Sequence, residues 1–225
     1  MSFTPNLYKM CILLEHRSAV ACAVGANVAI MHDERHGAKQ PERFRTERAA
    51  ALDDTARFAY VSPERIVELL AIPAAGTVLD FGTGTGTYAI EIARRAPHAT
   101  VLALDEQPEM LAKLAAKPEA ATLANLRAVE PKDLGSYTSG VERIFAFNVL
   151  HELGDDALRA LVGLLRRDGL ALVVDWSADV ERPVGPPNDH VYGADDARAR
   201  LEAFGLTVER VDGFPYHHAF LARPA

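Results

Sequence analysis

Thr77-Val78-Leu79-Asp80-Phe81-Gly82-Thr83-Gly84-Thr85-Gly86 is an apolar, β-branched run that ends in an acid and then in glycines at every second position. Such a run is a buried strand breaking into a turn. Glycine suits a turn that must approach another group closely, because it lacks a Cβ and tolerates positive φ. The helix expected next, Tyr88-Ala89-Ile90-Glu91-Ile92-Ala93-Arg94-Arg95, starts where the glycines end, so its unpaired amides face the same space. Strand, turn and helix together predict a nucleotide-type pocket.

Two spacings compete for the ligand. Gly84, Gly86 and Ala89 satisfy the GxGxxA form of the dinucleotide fingerprint. Counted from the strand, the pattern is acid-x-Gly-x-Gly-x-Gly, with Asp80 on the strand and Gly82 the first residue off it. This form resembles motif I of the class I S-adenosylmethionine (SAM)-dependent methyltransferases. The resemblance implies that Gly82, Gly84 and Gly86 pack against the methionine part of SAM, which carries no pyrophosphate, and that Asp80 helps orient it. Both ligands contain adenosine, so both readings need a second acid for the ribose hydroxyls. Asp105 closes the run Val101-Leu102-Ala103-Leu104, about twenty residues beyond the glycines. The following Glu106-Gln107-Pro108-Glu109-Met110-Leu111 resembles the D-x-x-P-x-M-L signature of the same methyltransferases, in which the proline opens a helix. There the resemblance places Asp105 and Glu106 at the cofactor and Met110 near the adenine.

Composition agrees with one enzyme domain. The chain has 225 residues, 49% of them hydrophobic, enough for one sizeable core and too few for the separate substrate domain of many dehydrogenases. A net charge of -7 argues against nucleic acid as a partner, since duplex binding needs clustered cations. Arg43, Arg45 and Arg48 alternate with Glu42 and Glu47, the pattern of a solvated helix face.

Strands and helices alternate along the chain, which predicts an α/β fold with a mostly parallel sheet covered on both faces. A third strand is expected over Leu126–Glu130, a fourth over Val141–Leu150, a helix over Asp156–Arg167 closed by Asp168-Gly169, and an almost wholly apolar fifth strand over Leu170–Trp176. A last helix, Asp195–Phe204, precedes strands over Leu206–Val211 and Ala219–Ala222. From the resembled family come a Rossmann-like seven-stranded sheet in the order 3-2-1-4-5-7-6 and an antiparallel final strand.

Residues 1–40 do not fit this scheme. The apolar stretches Met10–Leu14 and Ser18–Met31 are split by Glu15-His16-Arg17, so neither provides the roughly twenty apolar residues of a membrane span. The segment reads as a peripheral extension, either native or from an over-long start with Met31 as the alternative. Both cysteines, Cys11 and Cys22, lie there, so no disulfide framework or thiolate metal site follows, and the default setting is the cytoplasm. Residues 41–225 then form a single methyltransferase domain. It opens with Phe44, Arg48, Leu52-Asp53-Asp54, Arg57-Phe58, Tyr60 and Ser62–Ile66, which look like the N-terminal lid helices of small methyltransferases of the ubiquinone/menaquinone-biosynthesis and arsenite types. Arsenite methylation itself needs paired thiolates, and no cysteine follows Cys22.

In open α/β sheets ligands sit beyond the carboxyl ends of the strands where strand order reverses. Phe147-Asn148-Val149-Leu150-His151-Glu152-Leu153 falls there and resembles motif IV in its N-V-L-H form, with Asn148 at the cofactor. His151 matches by position the general base of phenol O-methyltransferases, but many relatives with other substrates carry a histidine there, and a structural or substrate-orienting role is the favoured reading. Glu130 falls where the family places an acid near the adenine amino group, or is a solvated strand end. Trp176 and Gly185–His190 lie where relatives shape the acceptor pocket. Of His217 and His218, at most one faces it, because neighbours on a strand point opposite ways. His32, Asp33, Glu34 and His36 read as a mobile charged stretch rather than a metal site, and no metal is expected.

The expected function is SAM-dependent methyl transfer to a small molecule, with oligomeric state and acceptor open. An NAD(P)-linked oxidoreductase is one alternative, weakened because no tyrosine has a lysine four residues later. A catalytically idle SAM-binding protein is the other.

Overall fold

The computed structural model describes residues 44–225. The expectations for residues 1–40, including Cys11, Cys22 and the charged stretch from His32 to His36, lie outside the described residues.

Seven strands form one sheet in the order β3-β2-β1-β4-β5-β7-β6. They are β1 (Thr77–Phe81), β2 (Thr100–Leu104), β3 (Leu126–Val129), β4 (Val141–Phe147), β5 (Leu165–Trp176), β6 (Leu206–Val211) and β7 (His217–Pro224). The first five run parallel, and β7 enters antiparallel to both β5 and β6. Six α-helices intervene: α1 (Pro63–Leu70), α2 (Thr87–Arg95), α3 (Pro108–Ala115), the short α4 (Pro118–Ala121), α5 (Asp155–Leu164) and α6 (Ala194–Ala203). Among the described residues no helix is long and apolar enough to cross a membrane.

Alternation along each strand divides the core into two layers. Leu79, Leu102, Ile144, Ala171 and Val173 pack with Leu158 and Leu161 of α5 and Leu201 of α6. Val78, Val101, Phe145, Leu172 and Val174 face the other way, against Ile66 and Leu70 of α1 and Tyr88 and Ile92 of α2. Because both faces are covered, the central strands are apolar throughout, and the few buried polar side chains among them stand out.

Several boundaries differ from the sequence expectation, among them β7, which runs over His217–Pro224 rather than Ala219–Ala222. β4 ends at Phe147 rather than Leu150, because Asn148 turns to φ 55° and residues 150–152 coil into a 3₁₀ turn. α5 ends at Leu164 rather than Arg167. Leu165 instead pairs with Val141, and a register shift before Arg143 absorbs Arg166–Gly169 into an irregular extension of β5. The N-terminal segment forms two 3₁₀ helices, Thr46–Leu52 and Thr55–Ala59, rather than α-helices.

The three glycines after β1 all adopt positive φ: 75° at Gly82, 57° at Gly84 and 77° at Gly86. Each also presents its bare face to a side chain from elsewhere. A Cβ at Gly82 would lie 2.6 Å from Cγ1 of Val149, one at Gly84 would lie 2.8 Å from Cδ1 of Leu52, and one at Gly86 would collide with Leu114. The turn is therefore locked by backbone conformation and by packing together.

Gly86→Ala is expected to destabilise the fold by about 1–3 kcal/mol, combining left-handed strain with overpacking. Gly205→Ala, at φ 83° with open space around it, should cost only the strain, about 1 kcal/mol. Urea unfolding with an unchanged slope measures both; equal losses would remove Leu114 from the account.

Candidate functional site

A cavity of about 730 Å³ opens at the carboxyl ends of β1, β2, β4 and β5, where the strand order reverses, and residues 44–60 roof it. That volume suits a cofactor with a small acceptor. Asp80, Gly82, Gly84, Asp105, Glu106, Asn148 and His151 all line it, as do Arg57, Tyr60 and Trp176. Gly86 and Glu130 do not. Gly86 caps the start of α2 behind Leu114. Glu130 caps the 3₁₀ turn Pro131–Tyr137 through a reciprocal bond pattern with Asp133, and also pairs with Lys132.

At the turn, the amides of Gly82, Thr83, Gly84 and Gly86 are already used within the protein. Gly82 and Thr83 both donate to the carbonyl of Leu104, Gly84 donates to Asp105 Oδ2 at 2.8 Å, and Gly86 donates to the Thr83 carbonyl. The start of α2 is filled from inside, since Asp80 accepts the Ala89 amide and, at 2.7 Å, the Thr83 hydroxyl. Asp105 also accepts the Gln107 amide at 2.9 Å. What the cavity offers instead is carboxylate oxygen, from Asp80, Asp105 and Glu106. Burial pushes Asp80 up to about 7, and raises Asp105 despite amide bonds from Gln107, Gly84 and Glu106. Concentrated acids around a largely self-bonded turn suit a ligand that bears positive charge and a ribose diol, as SAM does, better than a dinucleotide's two phosphates.

Asn148 combines two unusual features: left-handed backbone, and a buried Oδ1 without a hydrogen-bond partner. Asparagine tolerates this conformation better than most residues, and an orphaned buried acceptor facing a cavity is a functional signature.

The opposite wall holds a buried dyad. His151 Nδ1 lies 2.8 and 3.0 Å from the two oxygens of Asp175, and the His151 amide donates to Oδ2 at 2.8 Å. The Trp176 amide donates to Oδ1 at 2.7 Å. Asp175 is fully buried, and these donors balance its charge together with the nearby Arg182 and His218. Nδ1 carries the proton toward Asp175, leaving the Nε2 lone pair for the cavity. Burial pulls the imidazole pKa down, but the Asp175 carboxylate more than offsets this and holds it above 6.5. Glu152, next along the same turn, puts Oε1 3.6 Å from Nε2, and burial pushes its carboxyl up to about 7. The sequence reading found His151 but neither acid. The available signal for Asp175 was a lone charge in the run Leu170–Trp176.

Trp176 is clamped beside the dyad. His217 stacks on it at 4.2 Å between ring centroids, the Arg182 guanidinium lies 5.7 Å from its ring, and Gly185 at φ 107° presses backbone against the indole. Arg182 in turn holds its own loop by donating to Ser177, Pro186 and Asn188. His217 and His218 are both buried, on opposite faces, and neither lines the cavity. The expectation that one of them would face the pocket is thus replaced by His217 backing the tryptophan that does.

The roof is tied down at both ends. Asp53 accepts from Thr85, Thr87 and Lys117, while the Phe44 carbonyl accepts from Gln107 and its amide donates to Glu152. Between them, Arg57 donates to the Leu52 carbonyl and lies over Phe147 and Tyr88. Arg45 and Arg48, expected on a solvated helix face, are exposed but line the cavity mouth.

The family described as a methyltransferase domain matches residues 78–169. No curated protein matches the chain in sequence. A SAM-dependent methyltransferase from Aquifex aeolicus is 26% identical, with a TM-score of 0.72 over 80% of this chain and 98% of that one. YcgJ from Bacillus subtilis is 21% identical, with a TM-score of 0.55 over 67% and 70%. The [4+2]-cyclase SpnF is 16% identical, with a TM-score of 0.60 over 72% and 80%; these two likenesses speak for the fold alone. Matched domain, sheet order and Aquifex likeness agree with the site's chemistry: the chain carries a methyltransferase domain over residues 78–169, on the fold of the class I SAM-dependent enzymes.

Proposed function

We propose that this enzyme methylates a hydroxyl group of a small molecule, with His151 as general base and Asp175 as the residue that positions it. The observation carrying this is the Nδ1 contact with both Asp175 oxygens, which aims Nε2 at the cavity as an acceptor. SAM, when bound, supplies an electrophilic methyl group on a sulfonium. His151 would take the hydroxyl proton onto Nε2, and Asp175 would stabilise the resulting imidazolium. The closed roof and the clamped Trp176 exclude water and hold the reactants in line.

In this reading Asp80, Gly82, Gly84, Asp105, Glu106 and Asn148 contact the cofactor. Gly86 shapes the turn from behind, and Glu130 acts only through the 3₁₀ turn it caps. Residues 41–225 form the catalytic domain, in a cytoplasmic setting. The oxidoreductase alternative loses its phosphate site to Asp80 and the internally bonded turn. The idle-binder alternative has no use for a base pair buried at the acceptor end.

Asp105→Asn leaves one acceptor oxygen for the amides of Gln107, Gly84 and Glu106, and should weaken S-adenosylhomocysteine binding about tenfold or more by calorimetry. Labelled-methyl incorporation into cell metabolites identifies the acceptor. With it, His151→Ala should lower turnover by about 10²–10⁴-fold; near-normal rates would end the base assignment. The base is active when neutral, so kcat should rise with pH through an inflection above 6.5. Asp175→Asn removes the interaction that raises the imidazole pKa, so this limb should move to lower pH as kcat falls.

A further inference from the structure

The acceptor end of the cavity is mostly apolar. Trp176, Leu153, Ala157, Val184 and Pro186 supply much of its wall, and the Arg182 guanidinium beside Trp176 spends its terminal nitrogens on its own loop. The polar side chains there are His190, on that same loop, and the adjacent pair His151 and Glu152. The side chains of that pair are 4% and 24% exposed, and both line the cavity. Asp175 fixes the histidine from behind, whereas Glu152 carries no such partner: the Phe44 amide is its only backbone donor and His151 its only ion-pair neighbour among the described residues. A carboxyl has about four acceptor positions, and burying it with most of them unused is costly unless a ligand fills them.

The spacing indicates how they are filled. Nε2 and Oε1 are 3.6 Å apart, outside hydrogen-bonding range of each other. Two donors on adjacent atoms of one ligand can each lie at about 2.8 Å from its own partner across such a gap. We infer that Glu152 is a specificity residue that selects an uncharged, largely apolar acceptor whose reacting hydroxyl is flanked by a second hydrogen-bond donor, as in an aromatic vicinal diol. This rests on the methyl-transfer reading of the same site. His151 engages the reacting hydroxyl and Glu152 the neighbouring one, so the pair sets which hydroxyl is reached. Anionic acceptors are disfavoured next to His151, because the Glu152 carboxyl lines the cavity there.

The test uses the full chain saturated with S-adenosylhomocysteine, with catechol, phenol and 2-methoxyphenol as probes in calorimetry. Catechol should bind about tenfold or more tightly than the other two, the gain expected of one hydrogen bond to a charged acceptor. Glu152→Gln keeps the size of the side chain and an acceptor for Phe44, and Glu152→Met keeps only the size. Catechol should fall to within about threefold of phenol in the methionine variant and part of the way in the glutamine variant, with phenol and S-adenosylhomocysteine affinities unchanged. Equal binding of the three probes, no binding of any, or an undiminished catechol preference in both variants overturns the assignment. If the preference behaves as expected but His151→Ala still turns over, the diol site stands and hydroxyl methylation by His151 falls. The reverse pattern removes Glu152 alone.

Discussion

Asp80 is an acid only 2% exposed, at the end of a strand buried on both faces and at the inner wall of the cavity. Its oxygens satisfy the Thr83 hydroxyl and the Ala89 amide, so one carboxylate closes the glycine turn and caps the helix after it. Buried carboxylates survive when donors surround them, and three alternating glycines in left-handed backbone shape the turn that brings these donors in. The arrangement occupies part of the usual anion site at a helix start and turns the crevice acidic. One local contact thereby sets which class of nucleoside the crevice suits.

The cavity is electrostatically divided. Acids gather under the glycine turn, where a cation is accommodated, while the far end is apolar around a single imidazole and its flanking carboxyl. Burial raises both Asp80 and Glu152 to about 7, so small changes in occupancy or solvent access move protons at both ends. The roof is coupled to both halves: Leu52 and Asp53 meet the glycine turn, and Phe44 meets Glu152. The roof therefore contributes to the packing of one half and to the hydrogen bonding of the other.

Much of the fold was legible because burial on both faces leaves a plain signature. Apolar runs of strand length alternate with 3.6-period helices, and glycines, prolines and acids mark the ends. The misplaced boundaries share one cause. Asn148 and Leu165 obey tertiary contacts rather than local pattern, one bent left-handed at the cavity and the other recruited to pair with Val141. Glu130 and His217 show the same limit at the site, since a strand-end acid and a strand histidine look functional in one dimension, and only packing makes one a cap and the other a backing for Trp176.

The residues alone determined the glycine elbow, the two acids on neighbouring strands, the position of His151 and hence the cofactor class, because each depends on a short segment whose geometry is local. The tertiary structure decided what His151 can do. Asp175 is 24 positions away in the chain and reaches the imidazole only because β4 and β5 lie side by side, a pairing written in the register of the sheet and in no single stretch of sequence.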